Sequence, residues 1–135
     1  MNRHIAGYVT LTIALVMNAS ALQPATGEKE TGLAAVYSDA LNGHITASGQ
    51  TFDQSKLTAA HKTLPFGTKI KVTNTKNSHS VIVRVNDRGP VQSGRILDLS
   101  QAAAARLHIP KNSMREVSVD VLALGSGKTV KQAAK

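Results

Sequence analysis

Two stretches of this chain carry apolar β-branched residues at a two-residue period. In Lys69–Thr73, Ile70 and Val72 alternate with Lys69 and Lys71, and in Ser80–Asn86, Val81, Val83 and Val85 share one face. A period of two is that of a strand with one face buried, since successive side chains point to opposite sides of a sheet. Asn74–Ser78 lies between them and reads as a hairpin loop. Leu33–Tyr37, Arg95–Leu97 and Glu116–Leu122 are further candidate strands, broken from one another by Gly, Asn and Pro. One helix stands out: Ser100 suits an N-cap, Gln101–Leu107 is Ala-rich, and Pro110 stops it. The expected fold class is mainly β with one or two short helices, in a small barrel.

The 135 residues open with Met1-Asn2-Arg3-His4, an uncharged apolar run Ile5–Met17, and Asn18-Ala19-Ser20-Ala21. That three-part layout predicts a signal peptide over 1–21, too short for a membrane anchor, which takes about 20 apolar residues. No Cys is present, so an N-terminal lipid is not expected and the domain must hold by packing and backbone pairing alone. Residues 22–31 read as a linker, 32–122 as the folded domain and 123–135 as a basic flexible tail. Net charge is +8. A basic exported chain meets anionic envelope polymers, and export argues against nucleic acid as partner. Gly125-Ser126-Gly127-Lys128-Thr129 resembles the end of a phosphate loop, but the motif needs Gly where Leu122 stands.

Three blocks carry the chemistry. They are Thr46-Ala47-Ser48-Gly49-Gln50, then Thr58-Ala59-Ala60-His61, then Asn86-Asp87-Arg88-Gly89-Pro90 continuing to Asp98-Leu99-Ser100. In order and spacing the chain resembles the RlpA (rare lipoprotein A) family. The resemblance implies a six-stranded double-psi β-barrel, shared more distantly with expansins. It implies a lytic transglycosylase acting on peptidoglycan glycan strands poor in stem peptides. Such an enzyme leaves 1,6-anhydro-N-acetylmuramic acid ends and serves wall remodelling and septum separation. No cofactor or metal is implied, and no His or acidic spacing argues for a metal site. The expected protein is a soluble monomer, periplasmic or secreted, with no membrane anchor once its signal is cleaved.

Cleavage of a glycosidic bond needs an acid at the leaving oxygen. A lytic transglycosylase manages with one carboxyl group, which then accepts the proton of the sugar's own C6 hydroxyl. Asp87, where an apolar strand meets a Gly-Pro turn, is the candidate acid/base; its other reading is a turn-capping residue. Arg88 beside it is expected to point elsewhere or to bind substrate. Asp98 serves either the groove or the start of the helix. His61 is expected to bond a sugar or steer Asp87, with Thr58 of the same block in support. Gln50 stands where family members with established activity carry Glu, and is expected to contact substrate. Tyr37 and Phe52 are candidate faces for stacking sugar rings, whereas Phe66 beside Pro65 reads as core. His44 and His79 read as solvated, and His108 as a helix-end cation. A non-catalytic, expansin-like wall binder is the alternative function; an inhibitor-like barrel ranks third.

Overall fold

The computed structural model describes Thr26, Gly27 and residues 29–130. The expected signal peptide therefore lies outside the described residues. Six strands form: β1 (Lys29–Val36), β2 (Thr58–His61), β3 (Lys69–Asn74), β4 (Ser80–Asp87), β5 (Arg95–Leu99) and β6 (Met114–Ala123). They close into a barrel in the order β1-β5-β2-β4-β3-β6. The β1–β5 and β2–β4 pairs are parallel and the other four antiparallel. One α-helix, α1 (Gln101–Arg106), and one 3-10 turn, Asp39–Leu41, complete the fold. The Ser100 side chain caps α1 by accepting from the Ala103 N–H. Among the described residues no helix is long and apolar enough to cross a membrane.

The two-residue period holds where it was read: Ile70 and Val72 of β3 and Val81, Val83 and Val85 of β4 fill the barrel. Val117, Val119 and Val121 of β6 join them in the core. Ala103, Ala104 and Leu107 of the helix segment join the same core. These are close-packed apolar contacts of the kind whose truncation to Ala costs about 2–5 kcal/mol.

Three segments differ from the sequence reading. Strand β2 was not expected, because Thr-Ala-Ala-His shows no alternation of large apolar residues. Strand β1 begins at Lys29, inside the span read as linker, and Lys29–Ala35 pairs with Asp120–Met114. Backbone pairing asks nothing of the exposed side chains of Lys29, Thr31 and Leu33. The tail read as flexible is held against the barrel as far as Val130. Gly125 N–H donates to Thr68 Oγ1 at 3.0 Å, Gly127 N–H to the Phe66 carbonyl at 3.0 Å, and Val130 N–H to the Ser48 carbonyl at 2.6 Å.

That strap depends on close backbone approach. A Cβ on Gly125 would stand 2.2 Å from the Phe66 carbonyl oxygen and 2.4 Å from Thr68 N. Gly125→Ala should therefore detach the strap while leaving the barrel closed. Hydrogen exchange at the Gly127 and Val130 amides should rise about tenfold or more, with Val83 and Val119 unchanged. Unchanged protection at Gly127 would show that the strap is held by other means.

Candidate active site

Strand β2 lies between β5 and β4, and one residue of it faces both carboxylates. Ala60 pairs with Asp98 across one side and with Asp87 across the other. Each carboxylate follows an extra residue in a parallel ladder. Along β2–β4, Ala59 pairs with Val85 but Ala60 with Asp87, so Asn86 is additional. Along β1–β5, Leu33 pairs with Arg95 but Ala34 with Leu97, so Ile96 is additional. Such insertions re-aim the side chains that follow them.

The row Ala35–Asp98–Ala60–Asp87 lies on the opposite face from Ala59, Val85, Leu97 and Leu99, which line the core. Neighbouring strands are about 4.8 Å apart, so the two aspartate backbones stand roughly 10 Å apart across one methyl group. Ala60 is 1% exposed. Small side chains here make a groove floor that larger ones would fill.

Three donors converge on Asp87. The Tyr37 hydroxyl donates to Oδ2 at 2.6 Å, while the Ala47 and Arg88 N–H groups both donate to Oδ1 at 2.9 Å. The two oxygens are thus unequal. A backbone N–H only donates, so Oδ1 is held as an acceptor; a hydroxyl also accepts, so Oδ2 can carry a proton with Tyr37 reversing its role. Burial, the hydrogen bond to Asp87 and that residue's charge push the Tyr37 phenol well above its ordinary value, keeping it protonated. Phe52 backs the Tyr37 ring, with centroids 4.3 Å apart.

Asp98 accepts a hydrogen bond from Arg95 Nη2. Burial raises its pKa, Arg95 opposes the rise, and the charge of Asp87 adds to it. Asp98 therefore belongs to the electrostatics of the groove.

The loop from Ile45 to Thr51 supplies the Ala47 donor. It closes by an Ile45–Thr51 bridge and by Thr46 N–H to the Gln50 carbonyl at 2.8 Å, with Gly49 at φ +87° in the turn. Ser48 N–H docks the loop on the Asn86 carbonyl at 3.3 Å. Gln50 Oε1 accepts from Asn86 Nδ2 at 3.2 Å.

Several expected roles change. His61 is 2% exposed and faces the other side of the sheet from Ala60, because adjacent strand residues alternate. Its Nδ1 accepts from the Thr63 and Leu64 N–H groups, which leaves the hydrogen on Nε2, 3.2 Å from both Glu30 oxygens. It anchors a turn and the start of β1, and its side chain does not contact Asp87. Phe52 is 2% exposed and supports Tyr37, so no sugar can stack on it. Phe66 is half-buried under the Arg88 guanidinium, 4.1 Å from the ring centroid, and is not core. Arg88 does point away from Asp87, donating to the His61 carbonyl at 3.3 Å. Thr58 and Gln50 line one cavity of about 480 Å³ beside Asp87, together with Lys56, Arg84 and Asn86. A smaller cleft of about 130 Å³ adjoins Tyr37, His44, Thr46 and Asp87. Among the described residues no three His, Cys, Asp or Glu converge as a metal site.

The family model described as lytic transglycolase matches residues 29–119, which include both carboxylates and every strand in whole or large part. The chain belongs to this family. It is 46% identical over 96 residues to the endolytic peptidoglycan transglycosylase RlpA of Vibrio cholerae, covering 71% of this chain and 36% of that protein. The corresponding Campylobacter jejuni protein is 45% identical over 102 residues, covering 76% and 37%. The chain thus spans little more than a third of the length of these relatives. Among solved structures, the Streptomyces papain inhibitor matches with TM-score 0.59 and 25% identity, covering 74% of this chain and 99% of that one. The Clavibacter michiganensis expansin matches with TM-score 0.55 and 21% identity, covering 80% and 53%, a likeness of fold.

Within this lytic transglycolase barrel, sequence reading had missed the Ala47 N–H, Glu30 and Arg95. The first is a backbone group and carries no sequence signal. Glu30 is distant from His61 in sequence; Arg95, three residues before Asp98, was the one pairing that spacing offered.

The raised pKa of Asp98 makes a prediction. Its proton is held more tightly in the folded state, so the cost of ionising it appears as pH rises above the ordinary aspartate value of about 3.9. Asp98→Asn removes that cost. Thermal midpoints of the two proteins, measured from about pH 4 to pH 7, should diverge in favour of Asp98→Asn as pH rises. A gap independent of pH would contradict the assignment.

Proposed function

We propose that this barrel is an exported lytic transglycosylase domain acting on peptidoglycan. It cleaves the bond between N-acetylmuramic acid and N-acetylglucosamine, leaving a 1,6-anhydro end, in wall remodelling and septum separation. The observation that carries this reading is the asymmetric seating of Asp87, with one oxygen held by two N–H donors and the other by a reversible hydroxyl. Family membership and the names of its RlpA relatives support it.

The chemistry balances on one carboxyl group. Protonated at Oδ2, Asp87 gives its proton to the glycosidic oxygen as the bond to C1 breaks. The muramoyl C6 hydroxyl closes on C1, and its proton returns to Oδ2. Water takes no part. Tyr37 donates to the charged form and accepts from the neutral one, so both states keep a partner. General acid–base assistance of this kind contributes about 10²–10⁴ in rate.

A non-catalytic wall binder is the second reading, favoured by the neutral amide of Gln50 at the position where the family resemblance implies Glu. Digestion of intact and amidase-stripped sacculi separates the two. The native protein should release anhydro-muramyl products detectable by mass spectrometry, and Asp87→Asn should lose about 10²-fold or more. Absence of products from the native protein, retained pelleting on sacculi and products gained by Gln50→Glu would establish the binder.

A further inference from the structure

Beside Asp87 the groove carries cations that the proposed chemistry does not use. Arg84 of β4 lines both the 480 Å³ cavity and an adjoining one of about 260 Å³. Across the β3–β4 ladder it stands directly opposite Lys69. Like charges directly opposite on a sheet are destabilising. Neither residue forms an ion pair among the described residues. Lys56 lines the larger cavity, and the strap delivers Lys128 to the smaller one. The sole carboxylate in these two walls, Asp53, is turned to the Ser55 N–H and hydroxyl and feels the charge of Lys56, which leaves Arg84 and Lys128 as the cations without an acidic partner there.

The cavity walls also hold polar groups short of partners. Asn86 is 3% exposed, and its Oδ1 accepts no hydrogen bond; Thr58 Oγ1 is buried and likewise unpartnered. Buried polar atoms left unpaired cost about 1–3 kcal/mol each, and folded proteins commonly satisfy them with a ligand or ordered water. A site with unpaired cations, amide side chains and hydroxyls fits a sugar that bears a carboxylate.

We infer that Arg84, with Lys128 of the strap, binds the free lactyl carboxylate of a muramoyl residue that has lost its stem peptide. This rests on the reading of the barrel as a peptidoglycan enzyme. A muramoyl residue that keeps its peptide has an amide at that position, with the nearest charge displaced along the peptide. Arg84 lies three residues before Asp87 on β4, roughly 10 Å along the strand, so the carboxylate belongs to a sugar close to the scissile bond. Arg84 and Lys128 are thus specificity-determining residues.

The test is equilibrium binding by the Asp87→Asn protein, which leaves the glycan intact. The probes are amidase-stripped glycan strands and the same strands with lactyl carboxylates converted to methylamides. The free-carboxylate strands should bind about tenfold or more tightly, the scale of one charge-assisted contact. Adding Arg84→Gln, or Lys128→Gln should the first variant unfold, should bring that ratio near one. Lys76→Gln, the same charge loss in the β3–β4 hairpin, should leave it unchanged. Equal affinity for both strands, with cleavage by the native protein retained, overturns this inference alone. Loss of the ratio in Lys76→Gln overturns it in favour of general charge attraction. No binding to either strand, with no cleavage, overturns the peptidoglycan reading as well.

Discussion

Backbone pairing along β2 determines where the chemistry falls. This strand runs parallel to β4 and antiparallel to β5, and Ala60 is in register with an aspartate on each. Shifting either ladder by one residue would turn an aspartate into the core and bring an apolar residue out to the groove. The additional residues Asn86 and Ile96 make both registers compatible with a closed barrel. The core valines and leucines then hold the registers in place, since any slip would expose them. Stability and site geometry are therefore one constraint, written on opposite faces of the same strands.

Polarity of hydrogen bonding then distinguishes the two oxygens of Asp87. The Ala47 donor comes from a loop held on one side by Asn86 and on the other by the strap at Ser48. The Tyr37 donor comes from the end of β1, backed by Phe52. Two separate parts of the chain thus fix the carboxylate from two directions. Each is itself supported by buried contacts, which keeps the group in place.

The legible parts of the sequence were those where side chains carry the signal. Strands β3 and β4 announced themselves through β-branched alternation, and α1 through Ser100 and its alanines. Motif resemblance singled out Asp87, Asp98, Gln50, Thr58, Tyr37 and Arg88 as candidates, and the fold sets the two aspartates on either side of Ala60. What escaped was written in backbone or in absence of bulk. Strand β2 carries alanine on its groove face, at Ala60, where a larger side chain would fill the groove, and so it lacks the strand pattern. The strap is Gly- and Ser-rich because it approaches the barrel through main-chain bonds, and that composition reads as disorder. The inward turn of His61 follows from its neighbour Ala60 facing out, which no motif displays.

The ladder partners of β1 lie only in β5 and β6, both more than sixty residues further along the chain. For a polypeptide delivered N-terminus first, β1 is the first strand to arrive and finds no ladder partner until β5, and then β6, follow. Closure waits on the whole chain, which makes folding slow for its size, since long loops must be ordered before their contacts form. Through that interval β1 is an open edge, a template for any other strand nearby. Its first residues, Lys29 and Glu30, are charged. Glu30 later meets His61, but in the waiting chain both charges discourage pairing with a foreign strand and so act as a guard against aggregation.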